Sequence, residues 1–301
     1  MVNEPLNRPS PMSRFRIETH VFEAPPLAAG LHIVATPIGN LRDVSLRALE
    51  TLAGAAVIAC EDTRTTATLL TRYGIETPRV SYNEHNADVR GPELLDRLES
   101  EPVALVSDAG TPLVSDPGAR LVREAVERGL AVVPVPGPAA PIAALVASGL
   151  GGGAFTFAGF LPSKEGARRD ALEALATRPD TLVFFESPNR LVASLKSMVE
   201  VLGPGRAACV SREVTKLYEE HARAPLGELV IEFAGRERVR GEIVVCVEGA
   251  APMADAMDAE TVLRGLLSEH GAGRAAAEAA KLTGRPKKEL YALALSMKGE
   301  R

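Results

Sequence analysis

Tryptophan is absent from this sequence of 301 residues, and aromatic residues make up only 4% of it. Surfaces that bind single-stranded nucleic acid by stacking need several exposed aromatic side chains. We therefore expect no broad base-stacking platform, so that any recognition of RNA would depend on its shape and its phosphates.

Cysteines and long apolar runs are scarce as well. Cys60, Cys209 and Cys246 are far apart and lie in or beside apolar runs, which is typical of reduced core residues and of neither a disulfide framework nor a zinc site. No apolar run reaches the roughly 18 residues that span a bilayer, and the first residues lack the hydrophobic segment of a secretory signal. We expect a cytoplasmic protein with no membrane partner.

Basic residues are not in excess, since the formal net charge is -5. The net charge of the whole chain therefore does not indicate nucleic-acid binding, although a local basic cluster can still bind phosphate. A Gly-x-Gly-x-x-Gly motif is also missing after the first predicted strand, so a Rossmann-type dinucleotide site is not expected.

Hydrophobic residues make up 46% of the chain, enough for two domains of ordinary size. From residue 31 to 150, short apolar strands alternate with predicted helices, which indicates a parallel α/β domain. Residues 1–30 are rich in proline and predict a flexible extension. The first predicted strand begins at Leu31, and the later ones are Val57–Cys60, Val103–Val106 and Ala131–Val135. The predicted helices include Val44–Ala53 and Ala119–Arg128.

A Gly151-Gly-Gly153 run predicts a hinge into a second α/β domain, residues 151–250, whose spacing favours a mixed sheet. Residues 251–301 predict three short helices, the last two in a helix-turn-helix-like pattern. Basic side chains near that turn suit phosphate contact, while a helical cap that packs on the body or on a partner subunit is an equal alternative. These basic residues are Arg274, Lys281, Arg285, Lys287 and Lys288.

The polar loop from Ser107 to Gly118 follows the strand Val103–Val106 directly and is dense in Gly, Pro, Ser, Thr and Asp. Ligands of open α/β sheets bind at the carboxyl ends of strands, so this loop is a candidate ligand site. An ordinary strand-to-helix turn is the alternative.

Four segments carry unusual motifs in a fixed order: Val34–Leu41, Glu61–Arg64, Ser107–Gly118 and Phe185–Arg190. Together they resemble one family, the tetrapyrrole methylases, and within it the bacterial 16S rRNA (cytidine-2′-O)-methyltransferases of the decoding centre. The resemblance covers roughly residues 31–298 and implies two α/β domains, a homodimer and S-adenosylmethionine in the cleft between the domains. It also implies a 16S rRNA substrate within the small ribosomal subunit and no required metal.

The resemblance also assigns residues to the methyl donor. The Pro37–Asn40 turn and the Asp108–Pro112 loop would line the donor, the Pro136–Pro141 segment would face it, and Phe185 and the Gly241–Ile243 strand would contribute from the second domain. Two positions depart from the family pattern: Ala139 replaces an expected Ser, and Asn189 replaces a common His. The predicted donor-binding residues are Pro37, Gly39, Asp108, Gly110, Thr111, Pro112, Gly137, Ala140, Phe185 and Gly241.

Methyl transfer to a hydroxyl releases a proton, so a nearby base would assist it. Glu61, Asp62 and Lys164 are the predicted catalytic residues, with His85, Glu213 and Lys216 as further candidates. For Glu61 and Asp62, a role in capping the following helix is an equal alternative to catalysis. His85 is better explained as a structural loop residue than as a base, and Lys164 is better explained as a phosphate contact.

A local basic rim would bind the RNA backbone and make binding sensitive to salt. The charge-alternating segment 212–220 could instead be a solvated face. The predicted RNA-binding residues of this rim are Arg64, Arg168, Arg169, Arg190 and Lys216.

Two other functions stay open. One is methylation of a tetrapyrrole, another small molecule or a protein, and the other is non-catalytic RNA binding in ribosome assembly.

Overall fold

The computed structural model describes residues 13–115, 118–250, 259–283 and 286–299. The chain forms two compact units: a larger one, Met1–Leu175 with Thr181–Glu248, and a smaller one, Ala176–Asp180 with Gly249–Arg301. Asp116 of the polar loop and Arg285 of the predicted basic turn lie outside the described residues, as do residues 1–12.

A β-hairpin occupies the segment that was expected to be flexible. Strands β1 (Arg14–Ile17) and β2 (His20–Glu23) pair antiparallel. The rings of Phe15 and Phe22 stack with centroids 5.3 Å apart, and Phe15 is only 4% exposed within the hydrophobic core of the larger unit. The prediction of a flexible extension is therefore wrong for the hairpin, because a buried aromatic ring fixes it to the fold.

The first sheet is parallel, as predicted. Its strands are β3 (Gly30–Val34), β4 (Val57–Cys60), β5 (Arg79–Ser81), β6 (Pro102–Val106) and β7 (Val132–Val135). Their order is β5-β4-β6-β3-β7, and β4 and β6 are almost wholly buried, as is usual for strands covered by helices on both faces. The sheet therefore brings the carboxyl ends of β3, β6 and β7 side by side.

Helices connect these strands: α1 (Leu46–Gly54), α2 (Thr63–Tyr73), α3 (Ala87–Leu98) and α4 (Ala119–Glu127). The sequence predicts α1 and α4 to within two residues but not α2 or α3. Helix α2 is rich in Thr, a weak helix former, and its start depends on the side chain of Asp62 as N-cap.

Helix α5 (Ala140–Ser148) packs on the second sheet, not on the first. Its buried residues Ala144 and Leu145 share a core cluster with Val183, Cys209 and Cys246. The chain therefore passes from one sheet to the other before α5, although the sequence predicted the boundary near Gly151–Gly153. The segment just before α5 lies between the two sheets as a result.

The second sheet is mixed, as predicted. It contains β8 (Phe155–Phe160), β9 (Thr181–Glu186), β10 (Ala207–Arg212), β11 (Glu220–Pro225) and β12 (Ile243–Val247), in the order β11-β10-β12-β9-β8. Only β8 and β9 are parallel. The helices of this part are α6 (Glu165–Glu173), α7 (Leu191–Leu202) and α8 (Leu226–Ala234).

Strand β11 was not predicted. It lies at the sheet edge and pairs with β10, where Arg212 stands directly opposite Glu220. Segment 212–220, whose alternating charges predicted a solvated face or a substrate contact, connects the two strands and ends at the first residue of β11. Nε of Arg212 lies 2.9 Å from Oε2 of Glu220, and Arg236 joins the same carboxylate. The charges of this segment thus pair across the hairpin and beside it.

The smaller unit contains the three predicted helices, α9 (Ala259–Glu269), α10 (Ala272–Thr283) and α11 (Lys287–Gly299). They pack around Leu263, Ala275, Ala279 and Leu290, all fully buried. Arg274, Lys287 and Lys288 are exposed.

Cys60, Cys209 and Cys246 are buried free thiols, and burial raises the pKa of Cys246 to about 12. Within the described ranges, no three His, Cys, Asp or Glu side chains group so that they could hold a metal ion. The same ranges include no helix with the length and apolar character needed to span a membrane.

Candidate functional site

A cavity of about 370 Å³ lies in the larger unit, lined by loops from both sheets. One wall comes from the residues after β3, β6 and β7, at the carboxyl ends of parallel strands, where open α/β sheets bind ligands. The other wall comes from β8, β9 and β12 and the loops beside them. The lining residues are Ile38, Ala109, Gly110, Thr111, Val114, Ser115, Ala139, Ala140, Pro141, Phe160, Phe185, Glu186, Ser187, Pro188, Val214, Gly241, Glu242, Ile243 and Val244.

Hydrogen bonds join the loops of the first wall. Thr36 and Gly110 exchange both of their backbone hydrogen bonds, at 2.8 and 3.0 Å, and Oγ1 of Thr111 donates to the carbonyl of Pro138 at 3.0 Å. Gly110 has φ +81, a left-handed conformation that suits glycine. The polar loop after β6 is therefore fixed to the loops after β3 and β7.

Phenylalanines and a buried carboxylate form the second wall. The ring of Phe185 lies 4.9 Å from that of Phe157, edge to face, and 5.4 Å from that of Phe160. Glu186 is 4% exposed; it accepts hydrogen bonds from the backbone N–H of Ser187, at 2.8 Å, and from the hydroxyl of Ser194. The wall thus combines apolar rings with the buried carboxyl group of Glu186.

A charged cluster borders the second wall. The ammonium of Lys216 lies 2.8 Å from Oε1 of Glu213 and 3.2 Å from Oε2 of Glu242. Burial alone would lower the pKa of Lys216, but the hydrogen bonds and charges of the two carboxylates outweigh burial and raise it. Lys216 also lowers the pKa of Glu213 through its hydrogen bond. Both groups are therefore charged at neutral pH.

Five of the ten predicted donor-binding residues line the cavity: Gly110, Thr111, Ala140, Phe185 and Gly241. The other five do not line it: Pro37, Gly39, Asp108 and Pro112 are each next in sequence to a lining residue, and Gly137 stands two residues before the lining residue Ala139. Sequence reasoning missed Val114, Phe160, Glu186 and Val214, whereas Ile38 lies in the turn after β3 that was expected to line the donor. Of these, Glu186 stands inside the Phe185–Arg190 segment, so its position next to Phe185 was an available signal.

Glu61 and Asp62 follow β4. The carboxylate of Asp62 caps α2 by accepting from the backbone N–H of Arg64, 2.8 Å away, and it also pairs with the guanidinium of Arg64, with 2.7 Å between Oδ2 and the nitrogen. The hydrogen bonds from Arg64 lower the pKa of Asp62 to about 2. Asp62 was predicted to be either a catalytic residue or a helix cap, and the structure shows it as the cap of α2.

Asp108 is exposed, and its Oδ1 accepts a hydrogen bond from the backbone N–H of Asp62 at 3.0 Å. The backbone of His85 donates to Oδ1 of Asn83 in the turn before α3, and Lys164 is exposed at the start of α6. None of Asp108, His85 and Lys164 is among the residues that line the cavity.

The predicted RNA-binding residues differ in accessibility. The side chain of Arg64 is 90% exposed, and that of Arg169 is 46% exposed beside Glu200. Arg190 donates to the carbonyl of Leu161 and lies 3.5 Å from the carboxylate of Glu186. The ammonium of Lys216 faces two carboxylates, as described above.

Arg168 is only 6% exposed. Its guanidinium donates to Oγ of Ser197, at 2.9 Å, and to the carbonyl of Ser163, at 3.1 Å. The burial of Arg168 and its bonds to Ser163, before α6, and to Ser197, in α7, favour a structural role over the predicted RNA contact.

A cavity at the strand ends of two joined α/β sheets is typical of an enzyme that binds a small molecule. A family model described as "Tetrapyrrole (Corrin/Porphyrin) Methylases" matches residues 30–230, and one described as "RsmI C-terminal HTH domain" matches residues 253–298. The chain belongs to the tetrapyrrole methylases, as its motifs predicted. Enzymes of this family use S-adenosylmethionine as methyl donor.

Two curated relatives carry the name ribosomal RNA small subunit methyltransferase I. The one from Mesorhizobium japonicum is 54% identical over 91% of this chain and 94% of its own length. The one from Escherichia coli O157:H7 is 45% identical over 89% of this chain and 96% of its own.

Solved structures share the fold at low identity. A uroporphyrin-III C-methyl transferase from Thermus thermophilus, complexed with S-adenyl homocysteine, matches 72% of this chain and 96% of its own with a TM-score of 0.52 and 20% identity. A diphthine synthase matches 73% and 89% with a TM-score of 0.55 and 15% identity. The fold class predicted from the sequence is confirmed.

Proposed function

We propose that this chain transfers a methyl group from S-adenosylmethionine to the ribose 2′-hydroxyl of a cytidine in 16S rRNA, at the decoding centre of the small ribosomal subunit. The observation that carries the proposal is the 54% identity over 91% of the chain to a relative named ribosomal RNA small subunit methyltransferase I. The motifs after β3, β4, β6 and β9 support the finer assignment.

The cavity suits the methyl donor. Its volume of about 370 Å³ is within the usual range for small-molecule sites, and the rings of Phe160 and Phe185 offer apolar walls for an adenine. The donor carries a sulfonium and an ammonium, and two carboxylates, Glu186 and Glu242, line the cavity. Opposite charge at close range favours such a cation. The attraction is reduced by the ion pairs that these carboxylates already make with Arg190 and Lys216.

When bound, S-adenosylmethionine supplies a methyl group already activated by the sulfonium charge. The role of the chain is then mainly to orient the donor and the acceptor hydroxyl, which can supply much of the acceleration. The fixed loops after β3, β6 and β7 serve this orientation, since Gly110 and Thr111 hold them together.

The hydroxyl proton needs an acceptor. Asp62 is a weak base because its pKa is about 2, and Lys216 is protonated at neutral pH because its pKa is raised. Glu61, beside Asp62 at the end of β4, does not line the cavity, but as a carboxylate at the carboxyl ends of the parallel strands it remains our candidate for a proton acceptor. Glu61→Gln should lower kcat with little effect on the Kd for the donor.

RNA contact is proposed for exposed basic residues. Arg64, Arg169 and Lys164 extend from the larger unit, and Arg274, Lys287 and Lys288 from the smaller one. Phosphate contacts of this kind make binding fall as salt increases. We further propose a homodimer that acts in the cytoplasm, where ribosomal subunits are assembled, and light scattering of the purified protein tests the dimer.

The decisive experiment incubates the protein with labelled S-adenosylmethionine and small subunits that lack the modification, followed by digestion of the 16S rRNA and mass spectrometry of its nucleosides. We expect label in 2′-O-methylcytidine at a single decoding-centre position. Label on a base, at another site, or on an added tetrapyrrole would reject the proposed acceptor. Failure to bind S-adenosylmethionine would favour a non-catalytic assembly factor.

A further inference from the structure

The side chain of Lys216 touches segments from both walls of the cavity. Its ammonium lies between Glu213 and Glu242 of the second wall. Its aliphatic stem lies on Gly39, in the loop after β3, because a Cβ added there would overlap Cγ of Lys216 and come within 3.0 Å of its Cε. Ile38, next to Gly39, lines the first wall.

Glu213 links Lys216 to the start of β12. Its Oε1 accepts from the backbone N–H of Glu242 at 3.0 Å, and its own backbone N–H donates to the carbonyl of Glu242 at 2.9 Å. The side chain of Glu213 also covers Gly241, which has φ +92 and no room for a Cβ. Both Gly241 and Glu242 line the cavity, so the cluster fixes this part of its wall.

The loop that carries Lys216 is strained. Glu213 has φ 52 and Thr215 has φ 67, left-handed conformations that are unfavourable for residues other than glycine. Such a backbone persists only where its surroundings hold it. The ion pairs of Lys216, with a further hydrogen bond from the backbone of Thr215 to Glu219, supply that restraint, and Val214 between them lines the cavity.

We propose that Lys216 is a positioning residue for the methyl-donor site: it fixes the Val214 and Gly241–Glu242 wall at a set distance from the Ile38–Gly39 loop. This differs from the RNA contact predicted for Lys216, since its ammonium is engaged by two carboxylates. The inference rests on the proposed function only in taking the cavity as the donor site.

Binding of S-adenosylhomocysteine to the full chain, measured by calorimetry without RNA, tests the inference. Lys216→Met keeps the aliphatic stem but removes the charge. We expect the Kd of this variant for S-adenosylhomocysteine to rise about tenfold or more. Lys216→Arg should restore most of the affinity, because a guanidinium can pair with both carboxylates. Lys196→Met, at an exposed lysine of α7, is the control and should bind like the wild type.

A double-mutant cycle separates the wall contact from a loss of folding. Gly39→Ala should weaken binding by pushing against the Lys216 stem. In a Lys216→Ala background the same change should cost much less, because the 2.4 Å overlap with Cγ of Lys216 would be gone and no remaining atom would lie closer than Oγ1 of Thr215, at 3.0 Å. Non-additive Kd values in variants with wild-type thermal unfolding support the inference.

Two results would overturn it. One is a Lys216→Met variant that is folded and binds S-adenosylhomocysteine as the wild type does; the other is strictly additive effects of the Gly39 and Lys216 substitutions. If the wild-type chain itself does not bind S-adenosylhomocysteine, the assignment of the cavity to the donor is wrong, which is a separate outcome.

Discussion

Oδ1 of Asp108 accepts a hydrogen bond from the backbone N–H of Asp62, 3.0 Å away. Asp108 follows β6 and Asp62 follows β4, two neighbouring strands, so this contact joins the loops at their carboxyl ends. Asp62 in turn caps α2. The two carboxylates therefore fix the backbone around the site, although the sequence suggested roles in donor binding and proton transfer.

Asp108→Ala should lower the free energy of unfolding by about 1 kcal/mol, the usual cost of losing one such hydrogen bond. The Kd for S-adenosylhomocysteine should change less than twofold, because Asp108 does not line the cavity. Urea unfolding and calorimetry measure the two effects. Asp108→Asn keeps an acceptor oxygen and serves as control. A large loss of donor affinity with unchanged stability would instead support the direct contact predicted from sequence.

Arg168 and Arg169 are adjacent in α6 but should respond in opposite ways. Arg168→Ala removes a buried hydrogen bond to Ser197 and a partly buried one to Ser163, and should destabilise the protein by about 2 to 3 kcal/mol. The RNA binding of Arg168→Ala should depend on salt in the same way as that of the wild type. Arg169→Ala should leave stability within about 0.5 kcal/mol and weaken RNA binding at low salt. Equal salt slopes for wild type and Arg169→Ala would remove Arg169 from the RNA contact.

Gly110 and Gly149 form a matched pair for separating backbone strain from an effect on the cavity. Both have left-handed backbones, φ +81 and φ +80, but a Cβ on Gly110 would press on Ile38 at 3.2 Å, while one on Gly149 meets open space. Each Ala substitution should cost about 1 to 2 kcal/mol of stability. Only Gly110→Ala should also weaken donor binding, since Gly110 and Ile38 line the cavity.

Calorimetry with S-adenosylhomocysteine checks the comparison, with thermal unfolding as the measure of strain. If the two variants lose donor affinity equally, the loss reflects general destabilisation, and the contact between Gly110 and Ile38 does not shape the cavity.

The sequence predicts the buried strands well because their apolar runs have one stable position, inside a parallel sheet. It does not predict which sheet α5 covers. Residues of α5 are apolar on nearly every side, so their periodicity does not select a face, and only the packing of Ala144 and Leu145 decides. Edge strand β11 is missed for the opposite reason: its charges find partners across the hairpin that a linear pattern does not reveal.

The site is predictable where a residue's neighbours in sequence are also its neighbours in space, as for Gly110 and Thr111. Lys216 is different, because its role depends on Gly39 and Glu242, which are distant in the chain. For Arg168 a local signal existed: it stands four residues before the buried Leu172, on the same face of α6. To predict which basic residues contact RNA, one therefore needs to know which face of a helix each residue occupies as well as its charge.

The Glu220 cluster predicts how stability depends on pH. The hydrogen bond from Arg236, strengthened by Arg212, lowers the pKa of Glu220 to about 2 from an ordinary 4.5. A carboxylate whose pKa is lower in the folded state stabilises the fold fully above its unfolded pKa and loses that contribution as the pH falls. Glu220→Gln should therefore cost about 2 to 3 kcal/mol at pH 7, and the difference from wild type should shrink steadily between pH 4.5 and pH 2.

Urea unfolding at a series of pH values measures this difference, with Glu84→Gln, at an exposed carboxylate, as the control. A Glu220→Gln penalty that stays constant down to pH 2 would show that the ionised carboxylate is not what Arg212 and Arg236 stabilise. A penalty that fades as expected would locate a pH-sensitive restraint in the hairpin of β10 and β11. Since Glu213, Val214 and Lys216 lie in the loop of that hairpin, donor affinity should then weaken over the same acidic range.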